Sequence, residues 1–195
     1  MTQAVDWPGL GDEELLIAVA NTAHGEQDEF TDAGTVRTWW RGLGAPARTR
    51  RGGSGTPETV AMLREVRVLV RALALRNNGI EPAVARFSGL EALTLRLDLR
   101  GTPTLHADKP GDLARDVCAA TVAALLRAMA RPSWPRLKAC RGDDCRWVFI
   151  DGSRNTSRRW CDMANCGNRA KMATFRDRHA SPASRTARPT GNLPA

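Results

Sequence analysis

The apolar residues of the first 130 positions recur mainly at helical spacing, and capping residues mark where the helices begin. Asp12 is expected to cap a first helix that runs to about His24. The strongest signal is Thr56 followed by Pro57, a capping residue and then a proline at the first helical position. The pattern predicts five helices in this part of the chain, over residues 12–24, 32–43, 57–77, 81–88 and 112–130.

Between the last two of these helices the apolar period changes. Leucines alternate strictly with polar residues from Leu93 to Leu99, which is typical of a half-buried strand. A turn at Gly101 leads to a return strand over residues 104–106. The pattern therefore predicts one β-hairpin within a mostly helical region.

Two prolines, Pro132 and Pro135, end the last of these helices and mark a domain boundary. A strand is predicted over 146–150, a return strand over 157–160, and then a helix capped by Asn165. One stripe of that helix is expected to pack against the hairpin or the first domain, and it holds Met172, Phe175 and His179. The fold class is α+β, with domains over 1–131 and 132–180 and a disordered tail over 181–195.

Four of the five cysteines fall within a short C-terminal stretch as two pairs, each with four intervening residues: Cys140, Cys145, Cys161 and Cys166. In a reducing compartment this spacing indicates metal ligands, and four thiolates suit a single structural Zn²⁺ with no open coordination position. Four unrelated free thiols and a redox switch through either pair are the alternatives. Cys118 stands apart in an apolar stretch and is expected to be a buried, inert core residue.

The order of predicted elements around these cysteines is a knuckle, a hairpin and a helix that carries the last ligand. That order is typical of a treble-clef zinc finger. A module so small cannot build a large core, so metal binding and folding are expected to be one event. Three aromatic residues are expected to form the small core around the metal, namely Trp147, Phe149 and Trp160.

Two stretches, 140–151 and 157–171, closely resemble the CGNR zinc-finger family, whose name is spelled here by Cys166, Gly167, Asn168 and Arg169. In that family the finger follows a helical domain called ABATE, and residues 16–22 resemble the opening motif of that domain. The resemblance implies a bacterial protein regarded as a regulator of transcription.

The net charge of +8 is unevenly distributed. Residues 1–130 carry 15 Arg and Lys against 16 Asp and Glu, whereas residues 131–195 carry 14 against 5. This excess favours a polyanionic partner such as duplex DNA. The candidate nucleic-acid contacts are Arg154, Arg158, Arg159, Arg169, Lys171, Arg176 and Arg178.

The basic residues of the final helix form two rows rather than one face. Arg169 and Arg176 line one side of the apolar stripe, and Lys171 and Arg178 line the other. Such rows fit phosphate contacts, and they fit equally well long side chains that lie along an apolar surface.

A polar cluster near the end of the first helix suggests a small-molecule site. Asn21, Thr22 and His24 lie close together there, and Trp39 could complete the edge of a pocket. The competing interpretation is that such a cluster caps the helix.

These observations favour a DNA-binding regulator of transcription with an N-terminal effector or assembly domain. The alternative is an interaction module that docks an acidic protein partner, and an RNA-associated factor is a third possibility. No nucleophile elbow, phosphate loop or dinucleotide-binding turn occurs, so an enzyme is not expected. No apolar run could span a bilayer and no secretory signal is evident, which predicts a cytoplasmic protein without membrane partners.

Overall fold

A computed structural model describes residues 9–44, 53–83, 87–98, 104–107 and 112–179. Its five α-helices are α1 (Asp12–Ala20), α2 (Ala33–Gly42), α3 (Pro57–Asn77), α4 (Leu113–Met129) and α5 (Asn168–His179). Its six strands are β1 (Ala23–His24), β2 (Gln27–Asp28), β3 (Leu95–Asp98), β4 (Thr104–Ala107), β5 (Leu137–Ala139) and β6 (Val148–Ile150). This mixture confirms the α+β class.

Helix α3 is the central element of the helical part. Thr56 caps it by accepting a hydrogen bond from the Thr59 amide, and Pro57 opens it, as the sequence predicted. Apolar side chains at helical spacing bury themselves against α1 and α4. The fully buried members of this face include Leu63, Val66 and Val70.

The first helix ends earlier than predicted. It stops at Ala20, and Ala23 and His24 form instead a two-residue ladder with Asp28 and Gln27. Asn21 directs its amide out of the helix to the backbone of Val148, a use of the side chain that competes with helix continuation.

A row of arginines along α3 holds the segment that follows α1. The guanidinium of Arg67 binds both carboxylate oxygens of Asp28, at 2.6 and 2.9 Å, and is almost fully buried. Arg64 donates to the carbonyl of Phe30, and Arg71 donates to the carbonyl of Ala20. These contacts hold residues 20–30 against α3, and the predicted helix covered only the part of this segment up to His24.

The predicted leucine-rich hairpin is present. β3 pairs with β4 in antiparallel register from Leu95 opposite Ala107 to Asp98 opposite Thr104. The predicted helix over 81–88 is wrong, because Glu81–Ala83 and Phe87–Ser88 are not helical; residues 84–86 lie outside the described ranges. A single 3₁₀ turn at Leu90–Ala92 lies nearby.

Helix α4 follows its predicted bounds closely, with Asp112 as its cap. Cys118 is completely buried in it, and burial raises the pKa of its thiol, in keeping with an inert core residue. No helix in the described ranges is long and apolar enough to cross a membrane. The predicted disordered tail, 181–195, lies outside the described residues.

The C-terminal hairpin joins β5 to β6, with Leu137 opposite Ile150 and Ala139 opposite Val148. The predicted return strand over 157–160 is wrong: β6 pairs with the segment before the first cysteines rather than with the segment after it. Leu137, Ala139 and Val148 are buried in the same cluster as α3. The finger therefore shares the hydrophobic core of the helices, and the domain division at 131 stays a prediction.

Candidate metal centre

The first cysteine pair lies at the tip of the β5–β6 hairpin. The Cys140 amide donates to the Trp147 carbonyl at 2.8 Å, which closes the hairpin across the knuckle. The Cys145 amide donates to the Gly142 carbonyl at 3.1 Å, so the backbone between the two cysteines is a tight turn. Both thiols consequently point to the same side.

The second pair lies on a turn that leads into α5. Asp162 caps this turn by accepting a hydrogen bond from the Ala164 amide at 2.8 Å, so the predicted cap at Asn165 is wrong. The turn is one π-helical coil, Met163–Gly167, that carries Cys166. Gly167 is buried in this turn, and a Cβ atom there would lie 2.8 Å from the sulfur of Met163, so a larger residue would displace the Met163 side chain.

The four Sγ atoms of these cysteines lie within 4.8 Å of one another. Cys145 and Cys161 are separated by 3.5 Å between sulfurs, and Cys161 and Cys166 by 3.7 Å. A disulfide needs about 2.05 Å, whereas four thiolates at 2.3 Å around one tetrahedral Zn²⁺ lie about 3.8 Å apart. The thiol cluster therefore fits one structural zinc ion.

The electrostatics of the cluster also call for a cation. Burial raises the pKa of the Cys145 thiol, and burial together with the neighbouring thiols raises that of Cys161. Burial tends to raise the pKa of Cys166 as well, but hydrogen bonds from Arg169 and from the other thiols outweigh it and lower this pKa. A bound metal ion would offset the mutual repulsion and burial that oppose ionisation of four adjacent thiols.

Comparison with known proteins agrees with this geometry. Residues 136–179 match the family model of the CGNR zinc finger. No curated protein matches the chain. The matched residues hold all four zinc ligands, and the resemblance of the N-terminal part to ABATE stays a prediction.

Aromatic residues line the CGNR finger only in part as predicted. Phe149 is buried against the cysteines, and Trp160 packs partly buried beside them. Trp147 does not belong to this small core: it is 39% exposed and meets the ring of His24 edge-on, with 5.7 Å between centroids. Trp147 precedes β6, which runs from Val148 to Ile150, and its ring contacts His24 of β1 rather than the cysteines.

Two of the seven arginines and lysines proposed for nucleic acid contact the metal centre. The Nη2 atom of Arg169 donates to the Cys166 thiol at 3.3 Å. Arg158 donates from Nε to the Trp160 carbonyl at 2.9 Å and also binds the Cys161 carbonyl. Its guanidinium lies 4.9 Å from the ring centre of Phe149. Both side chains thus help to hold the ligand loops.

The sequence analysis missed a buried ion pair that supports the loop after β6. Lys138 donates to Asp151 at 2.7 Å and to the carbonyl of Thr156 at 2.5 Å, and the two charged side chains are almost fully buried. Burial tends to raise the pKa of Asp151, but hydrogen bonds from Lys138, from Ser153 and from the Arg158 amide lower it strongly. Breaking such a pair costs about 3–5 kcal/mol.

Three asparagines fasten the finger to the helices. Asn21 binds the Val148 backbone in both directions, at 2.8 and 2.9 Å. Asn77, at the end of α3, donates to the carbonyls of Trp134 and Leu137, at 2.9 and 3.0 Å. These contacts lie far apart in sequence, so no local pattern could indicate them.

Asn78 reaches both halves of the finger. Its amide donates to the carbonyls of Ala139 and Arg159, at 2.7 and 2.9 Å. The backbone carbonyl of Asn78 accepts a hydrogen bond from the Nε atom of Arg141 at 2.8 Å. The next residue, Gly79, has a φ of 73°, a left-handed conformation that favours glycine.

Helix α5 differs most from the prediction. None of its residues is buried, and Met172 and Phe175 are 58% and 57% exposed, so the predicted packing of its apolar stripe is wrong. Few residues of the fold pack against α5, because its main contacts are with the turn Met163–Gly167 that precedes it. All seven basic residues predicted to meet nucleic acid are exposed at the surface.

The residues proposed for a small-molecule site have structural partners. Thr22 is buried, donates to the Val19 carbonyl and accepts from Arg67. Trp39 is buried against Phe30 with ring centres 5.0 Å apart. Asn21 binds β6, as described above, and His24 lines a crevice at the edge of the finger with Arg71, Asp144 and Arg146. A ligand-binding role for these four residues stays a prediction.

Proposed function

We propose that this protein binds duplex DNA through its CGNR finger and regulates transcription, with the helical part as an effector or assembly domain. One observation carries the proposal: α5 bears four basic residues and one acidic residue, and none of its residues is buried. A helix that buries only part of two alanines, Ala170 and Ala173, gains little from packing on its own fold. It is free to meet a partner, and its charge selects a polyanion.

The contact surface that we propose is smaller than the sequence suggested. Arg158 and Arg169 hold the metal centre, which leaves five exposed basic side chains with no hydrogen bond or ion pair within the described ranges: Arg154, Arg159, Lys171, Arg176 and Arg178. Cations without protein partners release condensed counterions when they meet phosphates, and this release drives DNA binding.

Charge reversal in α5 tests this surface. We expect the double variant Arg176→Glu, Arg178→Glu to lose at least tenfold of its affinity for labelled duplex DNA at low salt, since phosphate contacts dominate such binding. Fluorescence anisotropy with protein holding one zinc per chain provides the measurement. Arg41→Glu is the control for charge reversal elsewhere on the surface, because Arg41 is also exposed but lies in α2. Equal affinities of the double variant and the wild type would contradict the proposal.

A second candidate function is docking of an acidic protein partner. The exposed Met172 and Phe175 favour it, since apolar side chains between basic rows also suit a groove with an acidic rim. Binding that survives nuclease digestion, and that Phe175→Ser abolishes, would identify this function in place of DNA binding.

We also propose that the chain has no catalytic activity and acts in the cytoplasm. Four thiolates fill the coordination sphere of zinc, so no position is left for a water molecule or substrate. Free thiols at the metal centre and at Cys118 suit a reducing compartment. The crevice beside His24 is the candidate place for a small-molecule effector.

A further inference from the structure

Helix α5 has two unlike faces. Ala170 and Ala173 are partly buried, whereas its other residues are exposed. Three residues of spacing place both alanines on one side, so this side lies nearest to the finger. Met172 and Phe175 lie on the opposite side, also three residues apart, and more than half of each side chain meets solvent.

Basic residues flank this apolar strip on both sides. Lys171 and Arg178 form one row, and Arg176, preceded by Arg169, forms the other. Members of a row are seven residues apart, which is about 10 Å along the helix axis. The acidic residue of the helix, Asp177, lies on the side of the alanines and away from the strip.

The partner that complements this surface has an apolar strip between two rows of negative charge. The major groove of B-DNA offers that arrangement: phosphates line both walls, and the C5 methyl groups of thymine project from its floor. The groove is about 12 Å wide and accepts one α-helix, whose diameter with side chains is about 10–12 Å. The charge and the shape of this surface therefore both fit the major groove of DNA.

We propose that α5 enters the major groove with Met172 and Phe175 against thymine methyl groups, so that the protein prefers sites rich in A·T pairs. The proposal rests on the proposed DNA binding. Arg178 and Lys171 then contact one phosphate strand and Arg176 the other, while Arg169 keeps its bond to Cys166. Apolar side chains on thymine methyls are a known mode of base readout.

Replacement of thymine by uracil tests this contact, because uracil lacks only the C5 methyl group. The probes are two DNA duplexes, one of alternating A·T pairs and one in which deoxyuridine replaces every thymidine. Each is tested with the wild type and with the double variant Met172→Ser, Phe175→Ser. We expect the wild type to bind the thymine duplex at least fourfold more tightly. We expect the double variant to bind both duplexes equally and with the weaker affinity.

The outcomes separate this inference from the function on which it rests. Equal, salt-dependent affinity of the wild type for both duplexes would overturn the methyl contact and leave DNA binding intact. A thymine preference that persists in the double variant would also overturn it. Absence of binding to either duplex at low salt would overturn both. Circular dichroism and zinc content of the double variant, unchanged from wild type, ensure that a loss reports on the contact, since both side chains are exposed.

Discussion

At the scale of single residues, the metal centre depends on more than its four ligands. Arg169 donates to the thiol of Cys166, and Gly167 leaves room for the sulfur of Met163. Asn168 donates to the Ala164 carbonyl at 3.0 Å and so joins the ligand turn to α5. Each residue of the sequence Cys166 to Arg169 thus has a separate physical task in one turn of chain.

Loss of the Arg169 guanidinium should weaken zinc binding. We expect Arg169→Gln to reduce zinc affinity by about 10–100-fold, the usual effect of removing an outer-shell partner of a metal ligand, because the charge on the thiolates loses its nearest compensating cation. Competition with a chromophoric chelator measures the affinity. Arg176→Gln is the control within the same helix; a loss of similar size in both variants would contradict a specific role for Arg169.

Some residues of the metal centre could be predicted from the sequence and others could not. The ligands Cys140, Cys145, Cys161 and Cys166 follow from spacing and thiol chemistry alone, and the structure brings all four together. The roles of Arg158 and Arg169 do not follow, because a basic residue looks the same in sequence whether it faces a phosphate or a thiolate. The partner of Lys138, similarly, is fixed only when β5 and β6 pair.

At the scale of elements, strong local signals predicted well and weak ones did not. α3 and α4 carry capping residues and long apolar periods, and both occur where expected. β5 and β6 are only three residues long and pair across the knuckle, so register depends on the zinc turn rather than on alternation. The apolar stripe of α5 misled the prediction because periodicity indicates a face and does not say what covers it.

The end of α3 should be a point of energetic coupling between helices and finger. We expect Asn78→Ala to lower the free energy of unfolding of the zinc-loaded protein by about 1–3 kcal/mol, because the Ala139 carbonyl loses its side-chain donor and the Arg159 carbonyl keeps only the Arg141 amide. Urea denaturation measures it. Asn155→Ala changes an exposed asparagine of the finger loop and is the control; equal stability of the two variants would show that the junction contributes nothing.

At the scale of the whole molecule, the boundary in charge along the chain does not coincide with a boundary in packing. The positive charge is concentrated after residue 130, whereas the hydrophobic core continues from the helices into β5 and β6. Sequence revealed the first division because charge is a property of composition. It could not reveal the second, because the contacts of Asn21, Asn77 and Asn78 join residues about 57 to 127 positions apart. Hydrogen bonds and a shared core thus hold the finger on the helices, while α5 stays exposed.

The salt dependence of DNA affinity tests the central claim most directly. Zinc-loaded protein is titrated against a labelled duplex of mixed sequence between about 50 and 200 mM salt. If three to five of these exposed basic side chains contact phosphates, the logarithm of the association constant should fall against the logarithm of salt concentration with a slope of about −2.7 to −4.5. A flat dependence, or no binding at the lowest salt by protein that holds one zinc, would contradict the account.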